Sequence, residues 1–417
     1  MAAVPILMSC AWLMSFVFTL YFFYYAVYAV LSLRRGRPQR RCEPQTRFAL
    51  VIAARNEECV IGQLVESLRQ QDYPDELYEI IVAPNNCTDD TRGAARRAGA
   101  RIFDCRLPVR SKGEVLTQVF DTLLEEGRFD AACVFDADNL VDPGFLRAMN
   151  DACCAGARAA QGYRDSKNPY DTAVSGCYSI YYWMINRMYN HTRRAAHLSA
   201  MINGSGFMVS LKLIREMGGW HTVTMTEDIE FTTQCILRGE RVEWVPAAVI
   251  YDEQPLTFAQ SWKQRKRWST GILQGFSLYF GRLARGVFAE HRIGCLDQMM
   301  FFLAPFMQLA YLLSLLLGLS LDILYAQHQF FPYNELYYQL FISLNTSFAV
   351  SCVLSVFVLL IERKWNPRML RGVLAYWFFL ASWIPINLSC MIHKCTTWEE
   401  IRHTRSIRLS DLSVGRQ

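Results

Sequence analysis

The sequence predicts an α/β domain with a mostly parallel sheet, joined to an α-helical transmembrane region through interfacial amphipathic helices. Two patterns support this prediction. Apolar, β-rich runs alternate with helical patterns between residues 45 and 255, which is typical of a parallel sheet covered by helices. Long apolar stretches without charged residues lie on both sides of that region, and such stretches are typical of membrane spans.

The N-terminal segment, residues 1–33, is expected to be a transmembrane helix. Residues 4–33 carry no charge, and about 20 apolar residues are enough to cross a bilayer. A cleaved signal peptide is the alternative, but this stretch lacks a basic leading region and exceeds the roughly 7–15 apolar residues of such a peptide. We therefore interpret it as a retained anchor.

The C-terminal part of the chain predicts further transmembrane helices within residues 296–393. Three uncharged stretches lie there, at residues 299–321, 337–360 and 373–392. Each is long enough to cross the hydrocarbon core. A basic tail follows at residues 394–417.

Charge next to the apolar stretches predicts their orientation. Five arginines lie between positions 34 and 41, directly after the first stretch. The positive-inside rule places them in the cytosol, which predicts an integral protein of the plasma membrane with a cytosolic α/β domain. Three C-terminal spans would then put the basic tail outside, against the rule. Either one apolar segment is re-entrant or split, for example at Pro305 or Pro385, or the tail is an exception.

The cysteine spacing and the net charge indicate which metals and partners the protein can be expected to bind. The 14 cysteines show no spacing typical of a zinc site, which predicts reduced thiols in a cytosolic protein. The net charge of +5 comes largely from basic residues beside the spans. It predicts membrane lipids, and no nucleic acid, as partners.

Polar side chains follow three predicted strands at the point where each strand ends. The strands are predicted at residues 47–54, 78–83 and 131–135, and the polar turns at 55–58, 85–90 and 136–139. The carboxyl ends of parallel strands are where such sheets bind ligands. We therefore expect a binding crevice at this edge.

The third turn carries Asp136 and Asp138 with one residue between them. Both carboxylates can point into one crevice and ligate a hard divalent cation, Mg²⁺ or Mn²⁺, through oxygen. Such a cation would bridge the phosphates of a nucleotide diphosphate and offset charge on a leaving group. A solvated acidic loop is the alternative, and it would be preferred if this pair stood alone.

A second acidic group, Thr226, Glu227 and Asp228, precedes a helical pattern. Thr226 as an N-cap with acidic residues in the first turn is ordinary helix capping. The functional alternative makes Asp228 a general base that takes a proton from an acceptor hydroxyl. Both interpretations can hold together.

Residues 256–295 contain an amphipathic helix pattern with a basic and aromatic centre. Cations at positions 263 and 265–267 lie among apolar and aromatic residues, as in helices at a membrane surface. One interpretation is a lipid-facing helix whose cations meet headgroups. The other is that Arg267 reaches a diphosphate and Trp268 stacks on a sugar ring.

Taken in order, these residues resemble the motifs of family 2 glycosyltransferases of the inverting, membrane-integrated type. Asp136 and Asp138 match the DxD pair, residues 226–228 match TED, and Gln264, Arg267 and Trp268 match QxxRW. The resemblance is to cellulose, hyaluronan, chitin and poly-N-acetylglucosamine synthases, and it covers about residues 45 to 275. It implies a nucleotide-sugar-binding domain of GT-A-like fold.

The resemblance also implies roles for individual residues. It places the base at Asp228 with Glu227 beside it, and the metal at Asp136 and Asp138. The donor-binding residues it implies are Ala53, Glu57, Asn85, Asp89, Lys112, Asp136, Gln264 and Arg267, and the acceptor-binding residues are Gly204, Ser205, Gly206 and Trp268. Asn85 stands where these enzymes commonly have an aspartate that reads uracil, and an amide also offers a donor and an acceptor.

The resulting hypothesis is a processive, inverting β-glycosyltransferase, transferring a hexose or N-acetylhexosamine from a nucleotide-sugar donor, UDP-linked, to a polymer secreted through its own spans. The nearest rival resembles ceramide glucosyltransferases and adds one sugar to a lipid acceptor. The set of spans is compact, so a polymer channel would require a homo-oligomer or an accessory secretion partner. A transporter or scaffold with a degenerate transferase domain is a third possibility, which the complete motif set argues against.

Overall fold

The computed structural model describes residues 3–34, 36, 40–329, 333–393 and 406–414. Its centre is one eight-stranded sheet with the strand order β3-β2-β1-β4-β7-β6-β8-β5. The strands are β1 Phe48–Ala54, β2 Tyr78–Pro84, β3 Arg101–Ile102, β4 Ala131–Asp136, β5 Leu140–Val141, β6 Ala159–Ser166, β7 Phe207–Ser210 and β8 Val242–Asp252.

The sheet is mixed, with a parallel block at one end. Strands β3, β2, β1 and β4 pair in parallel, β7 is antiparallel to both of its neighbours, β6 and β8 are parallel, and β5 is antiparallel to β8. The predicted mostly parallel α/β fold is therefore confirmed. The three strands predicted from the sequence are β1, β2 and β4, with bounds that differ by at most one residue.

Some helices cover the two faces of the sheet, and the long apolar helices lie at the two ends of the chain. The helices are α1 Ala3–Leu31, α2 Ile61–Leu68, α3 Thr91–Arg97, α4 Lys112–Glu126, α5 Phe145–Cys154, α6 Ala173–Met184, α7 Thr192–Ala195, α8 Leu211–Met217, α9 Glu227–Leu237, α10 Phe258–Phe288, α11 Ile293–Gln329, α12 Tyr333–Ile361, α13 Leu370–Ala381, α14 Trp383–Ile392 and α15 Leu409–Val414. A π-helical segment, Ile185–His191, continues α6.

The side chains of β1 show how the two cores form. Phe48, Leu50 and Ile52 enter a core with α2 and α5, whereas Ala49 and Val51 enter a second core with α4, α8 and α9. All five residues are fully buried. Burial on both faces explains why this strand has a continuous apolar sequence rather than an alternating one.

Four helical segments are long and apolar enough to cross a membrane. They are Trp12–Leu31, Ile293–Gly318, Phe341–Ile361 and Pro367–Ile392, and they agree with the four apolar stretches predicted from the sequence. The last segment is divided at Ser382 into α13 and α14, with Pro385 in the first turn of α14. Pro305, by contrast, lies inside the continuous helix α11.

One prediction about cysteine is wrong. Cys42 and Cys154 form a disulfide across 112 residues of sequence, whereas the spacing predicted only reduced thiols. The fold brings the pair together because the segment before β1 is held along α5, where the Asn150 Oδ1 atom accepts hydrogen bonds from the backbone N–H groups of Gln45 and Thr46. The described cysteines other than Cys42, Cys154 and Cys390 are free thiols.

Candidate active site

The candidate site lies at the carboxyl ends of β1, β2 and β4. In this parallel block Ala53 is in register with Ala83 of β2 and with Asp136 of β4. The loops after the three strands therefore meet at one edge of the sheet. This edge holds the predicted nucleotide-side residues and the predicted metal-binding pair.

The loops after β1 and β2 are connected to each other. Asn85 donates from Nδ2 to the Ala54 carbonyl over 3.1 Å. Asp89 accepts hydrogen bonds from the backbone N–H groups of Thr91 and Glu58, each over 3.1 Å. Asn85 and Asp89, two residues predicted to bind the nucleotide-sugar donor, thus connect these two loops. Glu57 lies in the first of them.

Lys112 connects three predicted parts of the site. It is the first residue of α4, which begins at the N-cap Ser111. Its Nζ atom lies 2.6 Å from Asp136 Oδ1, 2.7 Å from the Gly204 carbonyl oxygen and 3.9 Å from Glu227 Oε1. Burial alone would lower the pKa of Lys112, but the Asp136 and Glu227 carboxylates raise it above the ordinary value, so the amine is charged.

Asp136 is ionised for a related reason. Burial opposes its negative charge, but the cations of Lys112, Arg164 and Arg267 lower the pKa of this carboxyl. Asp138, two residues on, is buried. Among the described residues there is no group of three or more His, Cys, Asp or Glu side chains that could by itself hold a metal ion.

The residues before α9 pack against α10. Thr226 occupies the predicted N-cap position, but its side chain accepts no capping hydrogen bond. It instead contacts Gly271, where an added Cβ would lie 2.4 Å from Thr226 Oγ1. Gln274 Oε1 accepts a hydrogen bond from the Met225 N–H over 2.9 Å. Both contacts fix the start of α9 relative to α10.

Asp228, in the first turn of α9, has a strongly perturbed carboxyl group. Burial raises its pKa to about 7, with a further contribution from the negative charge of Glu227. The cations of Lys112 and Arg267 and a hydrogen bond from the Ile229 N–H act in the opposite direction. A carboxylate whose pKa lies near neutrality is suited to accept a proton at physiological pH.

Gly204 separates the two acidic groups. Its φ of +92° is in the region that favours glycine, and a Cβ there would lie 3.6 Å from Asp228 Oδ2 and 3.8 Å from Asp136 Oδ2. Both carboxylates therefore border one gap that the missing side chain leaves open.

Two predicted motifs carry buried polar atoms with no hydrogen-bond partner among the described residues. These atoms are both amide atoms of Asn203, next to Gly204, and Oε1 of Gln264 on α10. Buried polar groups are rarely left unpaired in folded proteins. Polar ligand groups such as sugar hydroxyls would satisfy them.

A buried network that the sequence did not indicate supports the turn after β4. Arg164 of β6 donates from Nε to Asp252 Oδ2 over 3.0 Å, and Asp252 Oδ1 accepts from Asn139 Nδ2 over 2.9 Å. The Ser205 hydroxyl accepts from the Asp136 N–H over 2.9 Å, which connects the turn to the Gly204 loop. Asp252 is the last residue of the largely apolar strand β8, as Asp136 is the last residue of β4. An aspartate at the end of an apolar strand was therefore the sequence feature that could have indicated Asp252.

Helix α10 brings the third predicted group to the site. The positive charge of Arg267 lowers the pKa of both Asp136 and Asp228. Trp268 is partly buried, with ring centroids 6.2 Å from Tyr181 and 6.2 Å from Trp383 in stacked orientation. It therefore belongs to an aromatic wall between α6, α10 and α14.

This chain is similar to several known proteins. A probable glycosyltransferase of Bacillus subtilis is 26% identical over 57% of this chain and 59% of its own length. The β-monoglucosyldiacylglycerol synthase of Synechocystis is 25% identical over 57% of this chain and 50% of its own. The poly-β-1,6-N-acetyl-D-glucosamine synthase of Staphylococcus aureus is 23% identical over 64% and 63%. The matched region thus spans between half and two thirds of these relatives.

A solved structure shares the fold over nearly the whole chain. The mannosyltransferase of Pyrobaculum calidifontis, determined with GDP-mannose and Mn²⁺, superimposes with a TM-score of 0.60 at 18% identity, over 92% of this chain and 99% of that one. The family model described as "Glycosyltransferase like family 2" matches residues 44–271, which include Asp136, Asp228 and Arg267. The chain therefore belongs to glycosyltransferase family 2.

Proposed function

We propose that this protein transfers a sugar from a nucleoside-diphosphate sugar to an acceptor at the membrane surface, with inversion at the anomeric carbon. The gap at Gly204 is the observation that carries the proposal. The perturbed carboxylate of Asp228 and the carboxylate of Asp136, which is paired with the Lys112 ammonium, both border this gap. A single displacement requires a base and a charged diphosphate site next to the same reacting carbon.

In this proposal, Asp228 handles the proton and two cations stabilise the leaving group. The Asp228 carboxylate accepts the proton of the acceptor hydroxyl while that oxygen forms a bond to the anomeric carbon. The bond from that carbon to the diphosphate oxygen breaks at the same time, and its electron pair leaves with the diphosphate. The cations of Lys112 and Arg267 offset the negative charge that develops there. One displacement inverts the anomeric configuration.

A divalent cation fits the donor set at the end of β4. Mg²⁺ and Mn²⁺ are commonly held by one or two carboxylates together with substrate phosphates and water. Asp136 and Asp138 supply that pair, and the Gly204 gap leaves Asp136 Oδ2 open. When bound, the cation would neutralise charge on the diphosphate. The similar fold of a Mn²⁺-bound mannosyltransferase supports this by analogy.

The nucleotide end of the donor is assigned to the loops after β1 and β2. We propose that Ala53, Glu57 and Asn85 contact the nucleoside and that the donor is UDP-linked. The shared edge of β1, β2 and β4 supports this, because Ala53 is paired with Asp136 and the loops that carry Glu57 and Asn85 follow β1 and β2 at the same edge. Gln264, Trp268 and the loop of residues 203–206 are assigned to the sugars.

Two kinds of product are candidates. The relationship to a poly-N-acetylglucosamine synthase supports the processive synthase, and the relationship to a glucosyldiacylglycerol synthase supports single addition to a lipid. Packing of the candidate spans favours the second. None of the residues in the Trp12–Leu31 window is buried, and 11% and 22% are buried in the windows of α11 and α12. Few residues of these three windows are therefore packed inside the described chain, whereas 44% are buried in the Pro367–Ile392 window.

Removal of divalent cations is expected to stop sugar transfer. Without the cation, the negative charges of Asp136, Asp138 and the diphosphate would exceed the positive charge that Lys112 and Arg267 supply. Incorporation of labelled sugar by vesicles containing the protein should fall to background in excess EDTA and return when Mg²⁺ or Mn²⁺ is added beyond the chelator. Undiminished incorporation after dialysis against EDTA would rule out the metal site.

A further inference from the structure

The chain that leaves α12 lies against the α/β domain. The Lys364 ammonium is 2.7 Å from Asp165 Oδ2, and the Tyr163 hydroxyl donates to Glu362 Oε2 over 2.7 Å. Tyr163 and Asp165 belong to β6, and the Asp165 side chain is only 3% exposed. These pairs fix residues 362–364, and hence the start of α13, on the catalytic side of the membrane.

The chain beyond α14 also lies against the α/β domain. Ser406 is hydrogen-bonded to Gln63, and the Arg408 guanidinium lies 3.6 Å from Glu66 Oε2. Gln63 and Glu66 are consecutive-turn residues of α2, on the outer surface of the parallel block. The described part of the tail is therefore on the same side as the catalytic site.

Both ends of the segment that contains α13 and α14 lie on the catalytic side, and neither helix is long enough to cross the bilayer by itself. At 1.5 Å per residue, α13 with its 12 residues and α14 with its 10 residues are each roughly half the ~30 Å thickness of a hydrocarbon core. The sequence that follows α14 includes Lys394, Glu399, Glu400 and Arg402, and such charges are costly within a bilayer. A single crossing by the pair would leave the tail on the wrong side.

The inner face of α13 and α14 packs against α6 and α10. A Cβ at Gly372 of α13 would lie 3.0 Å from the backbone of Gly176 in α6, so the two helices are in backbone contact. Arg265 of α10 is fully buried, and its Nη1 donates to the Phe379 carbonyl over 2.8 Å and to the Ser382 hydroxyl over 2.7 Å. Arg265 thus holds the break between α13 and α14.

The outer face is apolar and open. Leu370, Leu374 and Phe378 repeat every four residues along α13 and are 52%, 51% and 57% exposed. Leu388 and Ile392 continue the row on α14 at 44% and 65%. A helix with one packed face and one exposed apolar face, next to membrane-spanning helices, is suited to lie in the plane of a membrane interface.

We propose that α13 and α14 form a broken helix that lies in the catalytic-side leaflet without crossing the bilayer. Its partner is the lipid surface, which the row of five exposed apolar residues meets. The described chain then crosses three times, through α1, α11 and α12, and the C terminus returns to the catalytic side. The basic tail follows the positive-inside rule in this arrangement, which removes the conflict that a count of four spans creates.

An epitope-accessibility experiment tests this arrangement. The full chain would carry one tag at a time, after Gln417, after Gly127 in the exposed turn between α4 and β4, or after residue 330 between α11 and α12. Each protein is placed in sealed vesicles of known orientation and exposed to protease or antibody from outside. Tags after Gln417 and Gly127 are expected to respond alike, and the tag after residue 330 oppositely.

The proposal would be overturned if the tag after Gln417 responded like the tag after residue 330, because α13 and α14 would then cross the membrane. The tag after Gly127 reports the side of the α/β domain independently. A single symmetric peak in size-exclusion chromatography and an unchanged thermal-unfolding midpoint show that each tagged protein is folded, whether or not it transfers sugar. The topology and the proposed function can therefore fail separately.

Discussion

Replacing Asp228 by asparagine is expected to reduce sugar transfer by about 10³-fold, within the 10²–10⁴ range typical of a general base. The amide is nearly the same size as the carboxylate but cannot take the acceptor's proton. Nucleotide binding should change little, because the proposed nucleotide and diphosphate contacts come from other residues. The rate is measured with labelled nucleotide sugar, and binding of the nucleoside diphosphate by calorimetry.

The control and the pH dependence test the same role. Glu125→Gln changes an exposed carboxylate of α4 and should leave the rate unchanged. In the wild-type protein the pKa of Asp228 is raised to about 7, so the ionised fraction, and with it kcat/KM, should fall as pH drops below 7. Loss of nucleotide binding together with transfer in the variant, or a flat profile down to pH 5, would contradict the assignment.

A side chain at position 204 is expected to reduce transfer by at least ~10²-fold, because misplacement of reacting groups by about 1 Å can have such an effect. In Gly204→Ala the new methyl group would lie between Asp228 and Asp136, at 3.6 and 3.8 Å from their oxygens. It would occupy the gap where the acceptor oxygen and the anomeric carbon have to meet. The variant is assayed for transfer and for thermal stability.

The change also strains the backbone, so a matched control is needed. Gly156 has a φ of +93°, and a Cβ there meets nothing within 4 Å. Gly156→Ala therefore carries the same strain without obstructing the site, and it should keep its activity. Equal losses of activity in the two variants would mean that strain, rather than obstruction, explains the effect at position 204.

The parts of the fold that follow local patterns were predictable. Strands β1, β2 and β4 are continuous apolar runs with polar turns, and the structure places them within a residue of the predicted bounds. Strand β6 was not predicted because its sequence is polar. Gln161, Arg164 and Asp165 are buried in it, and they are paired with groups from distant segments, so neither hydropathy nor alternation indicates a strand.

The same distinction applies to the site. Asp136, Asp228 and Arg267 were predicted from motif order, and their roles stay predictions; the charge of Arg267 lowers the pKa of both carboxyl groups. The contact of Thr226 with Gly271 and the support of the β4 turn by Arg164 and Asp252 depend on the packing of segments far apart in sequence. No local pattern contains such information.

The charge pattern of the membrane region left a conflict that a re-entrant or split segment, for example at Pro385, would remove. The last apolar stretch has the length and hydropathy of a span, yet residues on both sides of it pair with the α/β domain through Lys364 and Arg408. With three crossings, one chain would form a small membrane region. That agrees with single addition to a lipid acceptor, and a secreted polymer would require a second copy or a partner.

The configuration of the product tests the central claim most directly. Purified protein in lipid vesicles with Mg²⁺ or Mn²⁺ is incubated with labelled, α-linked nucleotide sugars, and the product is sized on a gel and its anomeric linkage determined by NMR. The account predicts a β-linked product whose formation is lost in Asp228→Asn. An α-linked product, or a β-linked one formed equally well by that variant, would contradict a single displacement with Asp228 as its base.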